Sequence, residues 1–147
     1  MKAVNLQTEH NVMAAAERLP ARVIVIRWIF ALLSVVLFAC VLSQVFFAGL
    51  SVFDNPDHWG KHTNFVHMFE FVPLLLFILS FPGRIRGGGR WLSLTVQLLI
   101  FTQYATAEID IGHIAALHPV GGMLIAVTSF LVMRHAIGSL TRRKAAT

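Results

Sequence analysis

Apolar residues are gathered into four long stretches of this chain, and short polar connections separate them. The stretches cover about residues 27–53, 59–81, 91–108 and 113–135. Each is close to the length of about 20 helical residues that crosses a bilayer core about 30 Å thick. The pattern therefore predicts an all-α fold with four transmembrane helices.

The composition also indicates a membrane protein. Of 147 residues, 56% are apolar and only 13% are charged, and the mean hydropathy is +0.71. A soluble domain of this size carries more charge. The first stretch is longer than the apolar core of a signal peptide and lacks a small-residue cleavage pattern, so we expect it to remain as a helix. The lipid bilayer is the expected partner of all four helices.

Basic residues occupy alternate connections along the chain. They precede the first stretch, separate the second from the third, and follow the fourth: Arg18, Arg22, Arg27, Arg84, Arg86, Arg90, Arg134, Arg142, Arg143 and Lys144. The other connections carry Asp54, Asp57, Glu108 and Asp110. Under the positive-inside rule, the basic connections and both termini are cytoplasmic. Topology then explains the net charge of +5, and we expect no nucleic-acid partner.

Short connections favour antiparallel neighbours, which predicts a four-helix transmembrane bundle with up-down-up-down topology. Residues 22–136 would form this membrane domain. Residues 1–21 would form a cytoplasmic leader, and residues 137–147 a cytoplasmic basic tail. In such a bundle the second and fourth helices are diagonal partners and run in the same direction.

One polar side chain in each stretch lies about 10 Å inside the predicted outer boundary, at about 1.5 Å per helical residue. These residues are Gln44, His67, Gln103 and His118. Polar groups at that depth face the bundle interior, because lipid offers them no partners. With about 4 Å between their nitrogens, His67 and His118 can be the two axial ligands of one b-type haem. Hydrogen bonds to Gln44, Gln103 or Tyr104, with no cofactor, are the alternative.

Glu70 is a costly residue in the second stretch and lies one turn from His67. A carboxylate there has to be neutral, paired or in contact with water. It can orient His67, as carboxylates beside metal-bound imidazoles do, or it can carry a proton. Gln97, Tyr104 and Glu108 fall close to one face of the third helix, which suits a proton path, a quinone headgroup site or a small transporter.

Three further histidines are alternative metal ligands. His58 and His62 are four residues apart and share a helix face, so they suit zinc or copper. His62 and His67 are five residues apart, as are His113 and His118. Five residues correspond to about 140° around a helix, so the members of a pair cannot both point the same way.

Two prolines affect this geometry. Pro73 lies inside the second stretch and can kink it. Pro119 follows His118, and the residue before a proline is biased away from helical geometry. If the fourth helix begins at Pro119, His118 lies nearer the outer boundary and the common layer is broken. Gly121 and Gly122 permit close approach of another helix or of a flat ligand.

Short motifs near the predicted outer ends of the helices resemble those of a family of small bacterial four-helix membrane proteins with no assigned function. They are Gln44-Val45-Phe46-Phe47-Ala48-Gly49, a histidine-bearing start to the second helix, Gln103, and Ala116-Leu117-His118-Pro119-Val120. The resemblance covers residues 22–133 and implies a bacterial cytoplasmic membrane protein whose candidate functional positions are His62 or His67, together with His118. It implies no activity. The architecture also resembles b561-type di-haem cytochromes, but the first helix has no histidine, which leaves ligands for one haem only.

These features predict an integral membrane protein that binds one haem b through His67 and His118 and transfers electrons near the outer face. Its partner would be a redox protein or a membrane complex. A cofactor-free accessory or structural subunit is the first alternative, and a small transporter or channel with Glu70 on its path is the second. No nucleophile, base and acid are spaced as an independent catalytic site requires, so an enzymatic role would be limited to electron transfer.

Overall fold

The computed structural model describes residues 19–108 and 113–141, and this part of the chain consists of helices and turns without a strand. It contains five α-helices: α1 (Ala21–Phe53), α2 (Trp59–Val66), α3 (Val72–Leu79), α4 (Gly88–Glu108) and α5 (Leu117–Thr141). The short 3-10 helices Pro56–His58 and Ile114–Ala116 precede α2 and α5. The predicted all-α class is confirmed. The leader up to residue 18, Asp110 and residues 142–147 lie outside the described residues.

Helices α1 and α5 are long and apolar enough to cross a membrane. The two apolar spans are Ala21–Phe53, with 33 residues, and Ile114–Leu140, with 27 residues. The core helix of a soluble protein would be mostly buried, but only 28% and 11% of the most apolar windows of these spans are buried. Such exposed apolar surfaces are compatible with contact to a lipid bilayer.

The second apolar stretch was expected to form one helix over residues 59–81, but a turn at residues 67–71 divides it into α2 and α3. Pro73 has no N–H to donate, so an uninterrupted helix would lose a hydrogen bond at this point. The N–H of Leu74 bonds to the side-chain oxygen of Gln97 in α4, at 3.0 Å. The kink expected at Pro73 is therefore a full break, and a glutamine from a neighbouring helix satisfies the freed backbone group.

The core between the helices combines large apolar side chains with small polar ones. The fully buried apolar residues include Phe30 and Leu37 of α1, Leu76 of α3, Val96 of α4 and Val132 of α5. Ser34, Ser93 and Ser129 are equally buried, and each hydroxyl bonds to a carbonyl of its own helix. Small side chains allow helix backbones to approach closely, which is a common mode of helix packing in membranes.

Basic residues gather at one end of the helices, which we call the basic end. There Arg27 of α1 donates through Nε to the carbonyl of Gly83 at 3.0 Å, and His135 of α5 packs against Gly88 at the start of α4. Helix α1 has 33 residues and is therefore about 50 Å long. The acidic residues Asp54, Asp57 and Glu108 follow or end the helices at the far end. The charge separation along the chain is thus also a separation in space.

Candidate functional site

Two glutamine–histidine pairs join neighbouring helices away from the basic end, in a region that we call the histidine end. Gln44 of α1 donates through Nε2 to the carbonyl oxygen of His62 in α2, at 2.7 Å. Gln103 of α4 donates through Nε2 to the carbonyl oxygen of His118 in α5, at 2.9 Å. In both pairs, a glutamine amide of a long helix binds the main chain of the histidine on the next helix.

The side chains of these two histidines meet. The ring centroids of His62 and His118 are 6.3 Å apart, and the ring planes are inclined by 59°. Both residues are half-buried. The structure therefore brings together Gln44, Gln103 and His118 of the expected polar layer, and His62 occupies the place that the sequence suggested for His67.

The Nδ1 atom of each histidine has a hydrogen-bond partner. His62 Nδ1 lies 3.1 Å from the carbonyl oxygen of Gln44, which can only accept, so this nitrogen carries the proton. His118 Nδ1 lies 3.2 Å from the Thr106 hydroxyl. That hydroxyl donates to the carbonyl of Gln103 at 3.0 Å, so its oxygen can accept from His118. Within the described part of the chain, neither Nε2 has a partner, and each is left with its lone pair available.

His62 and His118 could together hold one metal ion through their Nε2 atoms. Metal-bound histidines usually donate their other ring N–H to an oxygen, which fixes the tautomer and the ring orientation. Gln44 and Thr106 provide such oxygens. Two protein ligands are sufficient when a macrocycle fills the remaining coordination positions of the metal.

His67 belongs to a different cluster. Its Nδ1 lies 3.4 Å from both carboxylate oxygens of Glu70 and 3.3 Å from the Tyr104 hydroxyl. Tyr104 donates to Glu70, and its ring stacks on the His67 ring with centroids 6.0 Å apart. The side chain of His67 is 59% exposed, and no contact joins it to His118 among the residues described. Glu70 and Tyr104 therefore accompany His67, at the turn between α2 and α3.

Gln97 faces the same turn. It accepts the N–H of Leu74, so it lies on the side of α4 where Tyr104 meets Glu70. The expected stripe along α4 is thus formed by Gln97 and Tyr104, while Glu108 is exposed at the end of the helix. The Nε2 atom of Gln97 is buried without a hydrogen-bond partner in the described ranges, as is Oε1 of Gln44.

Helix α5 begins at Leu117, so His118 and Pro119 lie in its first turn. A proline is tolerated there, because the first N–H groups of a helix have no partner within it. Gly121 then allows the contact with α4, since a Cβ at this position would lie 2.8 Å from Gln103 Oε1. His118 is therefore near the start of its helix and is still bound by Gln103.

The shallower histidines do not assemble into a metal site of their own. His58 Nε2 pairs with Asp54 Oδ2 at 3.0 Å, and His113 is exposed before α5. Within residues 19–108 and 113–141, no group of three or more His, Cys, Asp or Glu side chains could hold a metal ion. Of the alternative ligands suggested by the sequence, only His62 lies against another histidine ring in these ranges.

Thr106 is a site residue that the sequence reasoning missed. A threonine in a helix usually bonds to a carbonyl of its own preceding turn, as this one does, so it attracts no attention in an apolar segment. The signal available was its position three residues after Gln103, which places both side chains near one face of α4. The contact with His118 Nδ1 is made only when α5 packs on that face.

The comparisons with known proteins show similarity to an uncharacterised family. The family model described as "Family of unknown function (DUF6220)" matches residues 44–109. This segment includes Gln44, His62, Gln103 and Thr106 but not His118. No comparison supports the resemblance to b561-type cytochromes. Searches of curated proteins and of solved structures found no match to the chain.

Proposed function

We propose that the chain crosses the bacterial cytoplasmic membrane four times and binds one b-type haem between His62 and His118. Its function is then electron transfer near the outer face. The observation that supports this most directly is the pair of imidazoles with ring centroids 6.3 Å apart, each held at Nδ1 and each with Nε2 unpartnered in the described chain. The proposal keeps His118 as a ligand and replaces His67 by His62.

The contacts between helices favour the four crossings. Arg27 near the start of α1 binds Gly83 after α3, whereas Gln44 near the end of α1 binds His62 in α2. The same alternation relates α4 and α5, whose contacts run from Gly88 with His135 to Gln103 with His118. With arginines at one end and carboxylates at the other, the positive-inside rule makes the basic end and both termini cytoplasmic.

The residues of the histidine end would have different roles in haem binding. His62 and His118 would hold the iron, which supplies one-electron transfer when the haem is bound. The carbonyl of Gln44 and the hydroxyl of Thr106 orient the two imidazoles, and Gln103 fixes the main chain of His118 against α4. No partner has to contribute a ligand, so the single chain is expected to bind haem.

The visible spectrum of the full-length protein tests the proposal. The chain is expressed with added haem precursor, purified in non-ionic detergent and examined for a Soret band with the spectrum of six-coordinate, low-spin haem. His62→Ala and His118→Ala should each abolish the band or convert it to a high-spin form. His67→Ala and His113→Ala are the matched controls and should leave the spectrum of the wild type unchanged.

The outcomes of this experiment distinguish haem binding through His62 from haem binding through His67 and from a cofactor-free subunit. A wild-type protein without a Soret band would overturn haem binding and leave the cofactor-free accessory subunit, in which the two glutamine–histidine pairs only bind helices together. A band that survives His62→Ala but not His67→Ala would return the ligand to His67. Helicity by circular dichroism and elution as a single species show that a variant without haem is still folded.

Proton or ion transport is a second candidate function, because the membrane segment is broken beside a carboxylate. Residues 67–71 form a turn at which Tyr104 and His67 both contact Glu70. Broken helices with ionisable groups at the break are a feature of transporter sites. Flux into liposomes that is lost in Glu70→Gln and retained in Glu108→Gln, where the carboxylate is exposed, would support this function. Wild-type flux in Glu70→Gln, or wild-type flux no greater than in empty liposomes, would exclude it.

A further inference from the structure

A cleft at the basic end lies between the start of α1 and the turn that follows α3. It has a volume of about 330 Å³ and is lined by Arg22, Val23, Ile26, Phe81, Pro82 and Arg84. This volume is at the lower end of the range for small-molecule sites, about 300–1,000 Å³. The lining combines two guanidinium groups with an apolar wall, so the cleft suits a ligand that has an anionic group attached to an apolar body.

The two arginines of the cleft have no counter-ion in the part of the chain that the structure describes. The guanidinium groups of Arg22 and Arg84 both lack a hydrogen-bond or ion-pair partner within residues 19–108 and 113–141. The neighbouring Arg27 is differently placed, because its guanidinium donates to the carbonyls of Gly83 and Arg84. Arg27 therefore holds the turn against α1, and the other two side chains remain to bind an anion.

The backbone at Arg84 strengthens the case for a role of its side chain. Arg84 has a φ of 52°, and its N–H bonds to the carbonyl of Phe81, while the N–H of Ile85 bonds to that of Ser80 at 2.8 Å. This is a Schellman motif, in which the residue at the left-handed position is usually glycine. An arginine there strains the backbone, because the left-handed conformation brings its Cβ close to the following carbonyl oxygen. Stability alone would favour glycine at this position.

From these observations we infer that the cleft binds the phosphate group of an anionic phospholipid. Arg22 and Arg84 donate to the phosphate oxygens, and Ile26 and Phe81 contact the glycerol and the first methylenes of the acyl chains. Arginine forks match phosphate oxygens well, and basic pockets between membrane helices on the cytoplasmic side can bind anionic headgroups. The inference does not depend on haem binding, because the cleft lies at the opposite end of the helices.

Native mass spectrometry of the delipidated full-length protein in detergent tests the inference. Phosphatidylglycerol is the main probe. Phosphatidylcholine, which has the same phosphate but no net charge, and inorganic phosphate are the other two arms. We expect phosphatidylglycerol to bind about tenfold more tightly than phosphatidylcholine and to remain bound in the presence of millimolar inorganic phosphate. Displacement of the lipid by inorganic phosphate would identify a free anion as the ligand and overturn the lipid assignment.

Three variants locate the binding. Arg22→Gln and Arg84→Gln should each lower the affinity for phosphatidylglycerol about tenfold, because each removes a charge-assisted hydrogen bond. Arg86→Gln is the control, since this exposed arginine of the same turn does not line the cleft. Equal losses in all three variants would indicate general electrostatic attraction and contradict a defined site.

Arg84→Gly separates binding from folding. Glycine relieves the strain of the left-handed backbone, so this variant should be at least as thermally stable as the wild type. It should nevertheless bind phosphatidylglycerol as weakly as Arg84→Gln. Wild-type lipid affinity in Arg84→Gly would overturn the inference, whereas a more stable protein with lost binding cannot be explained by misfolding.

Discussion

The two glutamine–histidine pairs share one bond and differ in another. In both, a glutamine amide donates to a histidine carbonyl. The Nδ1 of His62, however, bonds to the main-chain carbonyl of Gln44, and the Nδ1 of His118 bonds to the Thr106 side chain. A main-chain partner is retained under any substitution, but a hydroxyl can be removed. A substitution can therefore remove the group that orients the His118 ring. The carbonyl that orients the His62 ring stays in place in every variant of Gln44.

The largest effect should follow from removing the hydroxyl beside His118. We expect Thr106→Val to weaken haem binding by about 10- to 100-fold, because the partner that orients the imidazole is lost while side-chain volume is nearly unchanged. Haem titration of the apoprotein, followed at the Soret band, measures this change. Thr102→Val is the matched control, since among the described residues Thr102 bonds only to the carbonyl of Leu99 on the same helix. Equal affinities in the two variants would show that Thr106 does not orient His118.

The glutamines should differ in their contribution to stability. Gln103→Leu loses the bond to His118 and a 3.3 Å contact with Thr106, so it should lower the free energy of unfolding by about 0.6 to 2 kcal/mol. Gln44→Leu loses one bond but also removes Oε1, a buried acceptor without a partner among the described residues. Its cost should be smaller.

Unfolding of the apoprotein by sodium dodecyl sulfate in mixed micelles gives both free energies. Measuring the protein without haem keeps ligand binding out of the comparison. If Gln44→Leu proved to be the more destabilising substitution, the number of hydrogen bonds that each glutamine makes would not determine its contribution to the free energy of unfolding.

The smallest effect is expected from the glycines that face Gln103. A Cβ at Gly121 would lie 2.8 Å from Gln103 Oε1, whereas a Cβ at Gly122 would lie 3.4 Å from Gln103 Nε2, at ordinary contact distance. Both alanine substitutions gain the same helix propensity, so the difference between them isolates the contact. Gly121→Ala should be about 0.5 to 1 kcal/mol less stable than Gly122→Ala in the same micelle assay. Equal stability would mean that Gln103 moves aside without losing its bond to His118.

Much of the fold could be predicted from the sequence, because length and hydropathy are properties of each segment by itself. The stretches that became α1, α4 and α5 were found with ends that differ from the observed ones by up to six residues, and the all-α class followed from them. The break after α2 could only be suspected. Pro73 indicated a kink, but Gln97 bonds to the freed Leu74 N–H, and so permits a complete turn there, only when α4 packs against it.

The sequence predicted which types of residue form the candidate site, but it did not predict which two histidines lie against each other. The polar layer was expected from Gln44, His67, Gln103 and His118, and the structure brings together all of these except His67. The sequence also showed that His62 and His67 cannot point the same way, because five residues turn a helix by about 140°. Which of the two meets His118 depends on the rotation of α2 about its axis, and no local pattern specifies that rotation.

By itself, then, the sequence determined the helical class, the apolar surfaces and the separation of basic from acidic ends. These depend on the transfer of each residue between water and a less polar medium, and on its charge. Only the tertiary structure decided that His62 faces His118, that Thr106 bonds to His118, and that Arg84 lies in one cleft with Arg22. Each of these depends on hydrogen bonds and contacts between segments that are distant in the chain, and such contacts exist only after the helices have packed.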